Sequence, residues 1–132
     1  MGFSTKGAAL GALFVGAVLA SPAFSADTNH GKEIFLACAA CHTEKADALG
    51  PSLKNVVGRK AGSLEDFRYS PAMKRAGFNW TEANLRDYLT NPQGKVKGNR
   101  MPFSGLPNAT DVNDVIAFAD QYASAPNGPV GL

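Results

Sequence analysis

The 132-residue chain has only two cysteines, and they stand three apart in the stretch FLACAACHTEK with a histidine directly after the second. Cys38, Cys41 and His42 all bind metals or cofactors, so a single chemistry should account for the three together. A disulfide across a two-residue spacer closes a very small loop and constrains the unfolded chain little, so such a pair does redox work more often than structural work. A dithiol oxidoreductase sets its pair at the start of a helix that follows a strand, and nothing upstream of Cys38 reads as a strand. A closed zinc site takes four ligands from cysteine and histidine. Here three are in place, there is no third cysteine, and His30 is the sole remaining histidine.

The reading left is covalent attachment of haem, for which C-x-x-C-H is the signature. If the stretch ends a helix, its first, fourth and fifth positions share one face. Two thiols on that face form thioethers with the two vinyl groups along one haem edge, and the imidazole beside them reaches the iron. Cys38 and Cys41 are therefore expected to hold the ring, with His42 as the proximal iron ligand. The opposite face of the iron needs another donor, and the chain has three methionines. Met1 belongs to the leader described below. Met73 lies in a short helix where an apolar side chain is ordinary core filling. Met101 lies in KVKGNRMPFSGLP, a loop rich in glycine and proline that can carry a side chain across a ring face.

The rest of the chain must position these groups. An apolar fraction of 45% with 18% charged residues is that of one globular domain. The N-terminus reads as an export signal, residues 1–25. One positive charge precedes an uncharged run from Gly7 to Ala20, and SPAFSA supplies small residues for a cut between Ala23 and Ala26. An uncleaved membrane anchor is the alternative, but the apolar run is short for a span and breaks at Ser21-Pro22. The domain proper is expected over residues 26–132, with a short flexible tail from about 124. The net charge is +2, or +1 once Lys6 is removed, and nothing in the sequence supports nucleic-acid binding.

Caps and apolar periodicity predict an all-α architecture. A first helix is expected around Asn29 to Ala40, capped by Thr28 or Asn29. A short one has Ser70 as cap, Pro71 at its first position and Gly77 after its end. A third runs from Thr81 to about Thr90 and is ended by Asn91-Pro92. The last begins near Thr110, with Asp111 and Asp114 suited to the positive end of its dipole. Gly31 inside the first helix costs roughly 1 kcal/mol relative to alanine, so it needs a structural reason.

With CAACH near the start of the expected domain, the segments GPSLKNVVGRKAG, YSPAMK, NWTEANLRDYLTNP and KGNRMPF follow in order. Over Gly31 to Tyr122 the sequence resembles a class I c-type cytochrome, of the cytochrome c and bacterial cytochrome c2 or c550 type. The resemblance implies a small single-domain fold in which the first and last helices cross and loops enclose the haem. It places Gly31 and Phe35 against Phe118. It makes Met101 the distal ligand and gives Pro51 the carbonyl that accepts from His42. Arg59, Tyr69, Trp80 and Asn99 fall where the family has donors to the inner haem propionates, and Tyr88 falls where a hydroxyl approaches the ligand sulfur.

Three positions depart from mitochondrial members. Asn99 replaces a threonine, Lys97 a proline and Met73 an asparagine. Histidine and methionine together would fill both axial positions, leaving a one-electron carrier rather than an enzyme. A haem peroxidase or gas sensor with a labile sixth ligand is the alternative, as is a membrane-tethered carrier if the leader is retained. With the export signal, the resemblance to the bacterial members implies the periplasm of a Gram-negative bacterium. The implied partners are transient: a cytochrome bc1-type complex, a terminal oxidase, a reaction centre or a periplasmic dehydrogenase. The chain itself is expected to be a monomer without stable membrane insertion. Lys32, Lys95, Lys97 and Arg100 are candidates for a basic docking patch.

Overall fold

The computed structural model describes residues 1–3, 7 and 25–125. Most of the expected export signal, its cleavage region up to residue 24, and the tail beyond residue 125 lie outside the described residues. Among the described residues five helices follow one another: α1 (Thr28–Ala39), α2 (Pro71–Lys74), α3 (Glu82–Thr90), α4 (Pro92–Lys95) and α5 (Ala109–Ser124). Among the described residues extended pairing is confined to one isolated antiparallel bridge, Lys60 with Asn79. The all-α expectation holds. No helix among the described residues is long and apolar enough to cross a membrane.

Helix α1 starts slightly earlier than its sequence suggests. Its cap is Asp27, whose carboxylate accepts from the backbone N–H groups of Asn29 and His30 at 2.9 and 3.2 Å. Thr28 and Asn29, the expected caps, are already helical. A carboxylate at this place satisfies two orphan donors and also suits the positive end of the helix dipole.

Helices α1 and α5 pack directly against each other, and the contact explains Gly31. A β-carbon there would run into the backbone carbonyl of Asp114 and come within 3.0 Å of Phe118 Cβ. One turn on, Phe35 meets the rings of Phe118 and Tyr122 at centroid distances of 5.2 and 5.0 Å. Offset aromatic pairs of this kind contribute about 0.5–1.5 kcal/mol each beyond the area they bury. Asp114 does not sit on the dipole as expected. It is only 3% exposed, and its carboxylate accepts from Asp27 N–H at 2.8 Å and lies 2.9 Å from His30 Nδ1. The α5 cap is Asn108, accepting from Thr110 N–H at 2.8 Å.

A second apolar cluster gathers the middle of the chain: Val56, Ala61, Met73, Trp80, Leu85, Tyr88 and Val96 are buried together, with Val112 and Ile116 of α5. Met73 thus fills core, in a helix capped by Ser70 with Pro71 at its start. Gly77 follows with a positive φ of 74°. Helix α4 was not anticipated. Asn91-Pro92 reads as a stop, and it does end α3, yet Asn91 Oδ1 also accepts from Gly94 N–H at 2.9 Å and caps the next turn. Proline at a first helical position starts a helix as readily as it ends the previous one. After α4 the chain passes Gly98 (φ +90°) and Gly105 (φ +106°), which bracket Met101. A β-carbon at Gly105 would meet the carbonyl of Thr90.

Candidate haem site

Cys38 lies in the last turn of α1, and the helical bonding carries on just past the helix end. Cys41 N–H and His42 N–H both donate to the Cys38 carbonyl, at 3.1 and 3.0 Å. That turn is what keeps the three side chains on the spacing read from the sequence. Both cysteines are free thiols. Burial pushes the Cys38 thiol above its ordinary pKa. Among the described residues no group of three or more His, Cys, Asp or Glu side chains is gathered to hold a bare metal ion.

The imidazole of His42 is fixed from behind. Its Nδ1 lies 2.7 Å from the carbonyl oxygen of Pro51. A carbonyl can only accept, so Nδ1 carries the proton and Nε2 keeps its lone pair. The ring rests against Gly50, where a β-carbon would come within 2.7 Å of Nδ1 and Cε1. Burial lowers the imidazole pKa, which keeps the ring neutral. A neutral imidazole with a free, directed Nε2 is the form that ligates a metal.

Met101 sits beside the aromatic cluster of α3. The Tyr88 hydroxyl lies 3.9 Å from Met101 Sδ and is oriented to donate to it. Tyr88 is buried edge-on to Trp80 at 4.9 Å, and burial pushes its pKa up to about 12. The hydroxyl therefore stays a donor at any ordinary pH. Trp80 itself is 7% exposed and also meets Phe78 edge-on at 4.9 Å. Tyr69 stands edge-on to Phe67, and its pKa is raised, chiefly by burial, with the Arg59 charge opposing.

Arg59 and Asn99 resolve differently. The Arg59 guanidinium donates from Nη1 to the Lys54 carbonyl and from Nη2 to the Ser52 carbonyl, both at 2.8 Å. Its Nε is buried without a partner. Burial lowers the pKa of this cation, with Tyr69, Asp66 and Glu44 opposing. A buried donor on a cation with nothing to donate to is costly and suits an anionic group. Asn99 has no such vacancy. Its Nδ2 donates to the carbonyls of Pro92 (3.0 Å) and Val96 (2.9 Å), and its Oδ1 accepts from Met101 N–H at 2.9 Å. Both amide hydrogens are committed to the backbone, so Asn99 positions the Met101 loop where the resemblance had implied a propionate donor. A single buried amide tying three backbone groups leaves no trace in sequence spacing.

The residues fit a c-type haem. Two thiols are unpaired, one imidazole is neutral with its Nε2 lone pair free, a thioether lies beside a hydroxyl, and a buried arginine nitrogen lacks an acceptor. Sequence reasoning missed Gly50 as the rest for the imidazole, and the Ser52 and Lys54 carbonyls as the anchors of Arg59.

Comparisons with known proteins agree with this geometry. The sequence model of the family described as cytochrome c matches residues 29–121. A cytochrome c2 of Rhodoblastus acidophilus is 46% identical over 99 residues, covering 73% of this chain and 92% of that protein. A cytochrome c2 of Rhodomicrobium vannielii is 46% identical over 110 residues, covering 79% and 88%. Among solved structures, cytochrome cH from Methylobacterium extorquens superposes with a TM-score of 0.68 at 38% identity, covering 72% of this chain and 98% of that one. From the two neighbouring thiols and the hydrogen-bonded imidazole through the helix crossing to these relatives, every line converges: the chain belongs to the cytochrome c family.

Proposed function

We propose that the protein is a one-electron carrier in which His42 and Met101 occupy the two axial positions of a haem c held through Cys38 and Cys41. The observation that carries this reading is the fixed tautomer of His42, whose Nδ1–H is taken by Pro51 at 2.7 Å and whose Nε2 is left for iron. The bound haem supplies an iron that cycles between ferric and ferrous states. The protein supplies the rest. His42 presents one nitrogen in one orientation, and its hydrogen bond to Pro51 raises ligand basicity. Met101 brings a soft thioether, which favours the ferrous state and raises the potential. Tyr88 holds that sulfur in place, and Arg59 offers a cation to a haem carboxylate.

A donor on each axial side leaves no place for a substrate, which makes this an electron-transfer protein rather than an enzyme. Residues 1–25 act as the export signal, cut between 23 and 26, and the carrier works in the periplasm of a Gram-negative bacterium. Its redox partners are met transiently, drawn from a cytochrome bc1-type complex, a terminal oxidase, a reaction centre or a periplasmic dehydrogenase. The candidate docking cations are not equally available. Lys95 Nζ is engaged by Asn84 at 2.8 Å and Asp87 at 2.9 Å, 5.2 Å from the Phe78 ring centroid. Arg100 donates to the Arg68 carbonyl. Lys97 is exposed, so reversing it to glutamate should slow association with an acidic partner at low salt more than reversing Lys95 does.

The test is a redox titration of the purified protein followed by carbon monoxide addition to its reduced form at neutral pH. A single one-electron wave and no carbon monoxide spectrum are expected. Ready carbon monoxide binding would favour a gas sensor or peroxidase instead.

A further inference from the structure

The Ser52 hydroxyl has no part in the site described so far, yet with the Glu44 carboxylate it closes a ladder around that site's most constrained bond. Two neighbouring stretches, 41–44 and 50–52, are joined by three successive links. Gly50 N–H donates to the Cys41 carbonyl at 2.9 Å. His42 Nδ1–H donates to the Pro51 carbonyl at 2.7 Å. Ser52 Oγ donates to the Glu44 carboxylate, 2.9 Å from Oε1 and 3.1 Å from Oε2. The first link is backbone to backbone, and the last is made by side chains alone.

Ser52 is also where other bonds meet. Its Oγ accepts from Lys54 N–H at 3.2 Å, its carbonyl accepts from Arg59 Nη2 at 2.8 Å, and Lys54 Nζ lies 3.5 Å from Glu44 Oε2. The peptide group between Pro51 and Ser52 is planar, so the Pro51 carbonyl and the Ser52 N–H turn together as one plate, through ψ of Pro51 and φ of Ser52. Fixing Ser52 therefore aims the oxygen that receives the His42 proton. The next peptide plane, carrying the Ser52 carbonyl, holds Arg59 in the same way.

We propose that Ser52, anchored by Glu44, is a positioning residue for the axial histidine: it keeps the Pro51 carbonyl on His42 Nδ1–H and ties that bond to the placement of Arg59. The proposal builds on the haem reading above. A charge-assisted hydrogen bond is stronger than a neutral one, which suits a link that must hold at a solvent-facing edge. Loss of it lets the Pro51–Ser52 plane turn, weakens the bond to Nδ1–H and makes the imidazole a less basic ligand. A less basic ligand stabilises ferric iron less, so the potential should rise.

The experiment uses the haem-containing protein and follows exchange of the His42 Nδ1 proton with solvent by NMR in the reduced state, beside the midpoint potential. Ser52→Ala should speed that exchange about five- to tenfold, the equivalent of one lost hydrogen bond, and raise the potential. Ser52→Thr, which keeps the hydroxyl, should stay within about twofold of the parent protein. Glu44→Ala removes the acceptor and should match Ser52→Ala in Nδ1 exchange, and combining the two should add nothing further to that exchange, because the Ser52–Glu44 link both variants break is the one that bears on the Pro51 carbonyl. Exchange in Ser52→Ala within twofold of the parent, or additive effects in the double variant, overturns the proposal. A protein that carries no haem at all would instead overturn the reading on which it rests.

Discussion

The crossing of α1 and α5 and the loops around the haem site are both tightly specified, but by different forces. At the crossing, residues far apart in sequence meet through shape: Gly31 leaves room for the backbone of Asp114, and Phe35 fills the space between Phe118 and Tyr122. Around the site, residues close in sequence meet through single polar bonds, Pro51 with His42 and Asn99 with Pro92, Val96 and Met101. The first region should be sensitive to volume and the second to individual hydrogen-bonding atoms.

The largest effect expected from this contrast is at Gly31. Gly31→Val forces a side chain into a backbone carbonyl that cannot move aside, costing about 3 kcal/mol and lowering the melting temperature by roughly 10–20 °C. The optical spectrum of the folded fraction should not change. An altered iron spectrum at low temperature would show that the two regions are not separable.

Asn99→Ala sharpens the comparison from the other side. It removes one buried amide and strands two carbonyls and one N–H, at about 2–3 kcal/mol. With Met101 as the proposed iron ligand, added imidazole should displace it more readily in that variant, read from the visible spectrum. Asn99→Asp keeps an acceptor for Met101 N–H but sets a second carboxylate oxygen against two buried carbonyls, so it should not rescue the loss.

How much of each region could be read in advance follows the same division. Shape leaves periodic traces: the apolar stripe of α5, the glycine in α1 and the Ser-Pro start of α2 all pointed to what the structure contains. The five-residue attachment segment was legible because one helical turn dictates its spacing. Polar links leave fewer traces: those of His42 with Pro51 and Tyr88 with Met101 come through the family resemblance, and others are misread. Asp114 reads as a dipole residue and turns out to be a buried acceptor. Asn99 reads as a substitute for threonine and turns out to be a loop clamp. Asn91 reads as a stop and also starts α4. In each case a backbone atom is among the partners, and a backbone atom is something every residue possesses and no sequence pattern marks.

A smaller effect is expected at Tyr88. Tyr88→Phe keeps the ring packing on Trp80 and removes only the weak bond to Met101 Sδ, so stability should fall by no more than about 0.5 kcal/mol while displacement of the sulfur becomes easier. The parent hydroxyl, with its pKa raised from 10.0 to about 12 by burial, favours the protonated form in the folded state. Its contribution to stability is intact below pH 10.0 and declines as pH rises toward about 12. A denaturation series over that range should lose this slope in Tyr88→Phe.

The smallest effect is at the exposed edge of the crossing. The hydrogen bond to Asp114 raises the His30 pKa above 6.5, with Asp111, Asp114 and Glu33 adding to it against desolvation. The same bond, together with that from Asp27 N–H, holds the Asp114 carboxyl below 3.8. The pair's stabilisation is therefore complete between those two values. It fades as pH rises from 6.5 through the raised pKa of His30, and as pH falls from 3.8 through the lowered pKa of Asp114. Unfolding midpoints measured across both limits should flatten at the upper one in His30→Ala and stay unchanged there in Tyr88→Phe.

Gly98 and Gly105 bracket the stretch that carries Met101, each in a backbone conformation that side-chain-bearing residues adopt at a cost. A randomised library across residues 98–105 should therefore return almost only glycine at its two ends and a wide choice at exposed Arg100, Pro102 and Ser104. Variants tuned to different electrochemical drives can be collected there without redesigning the scaffold.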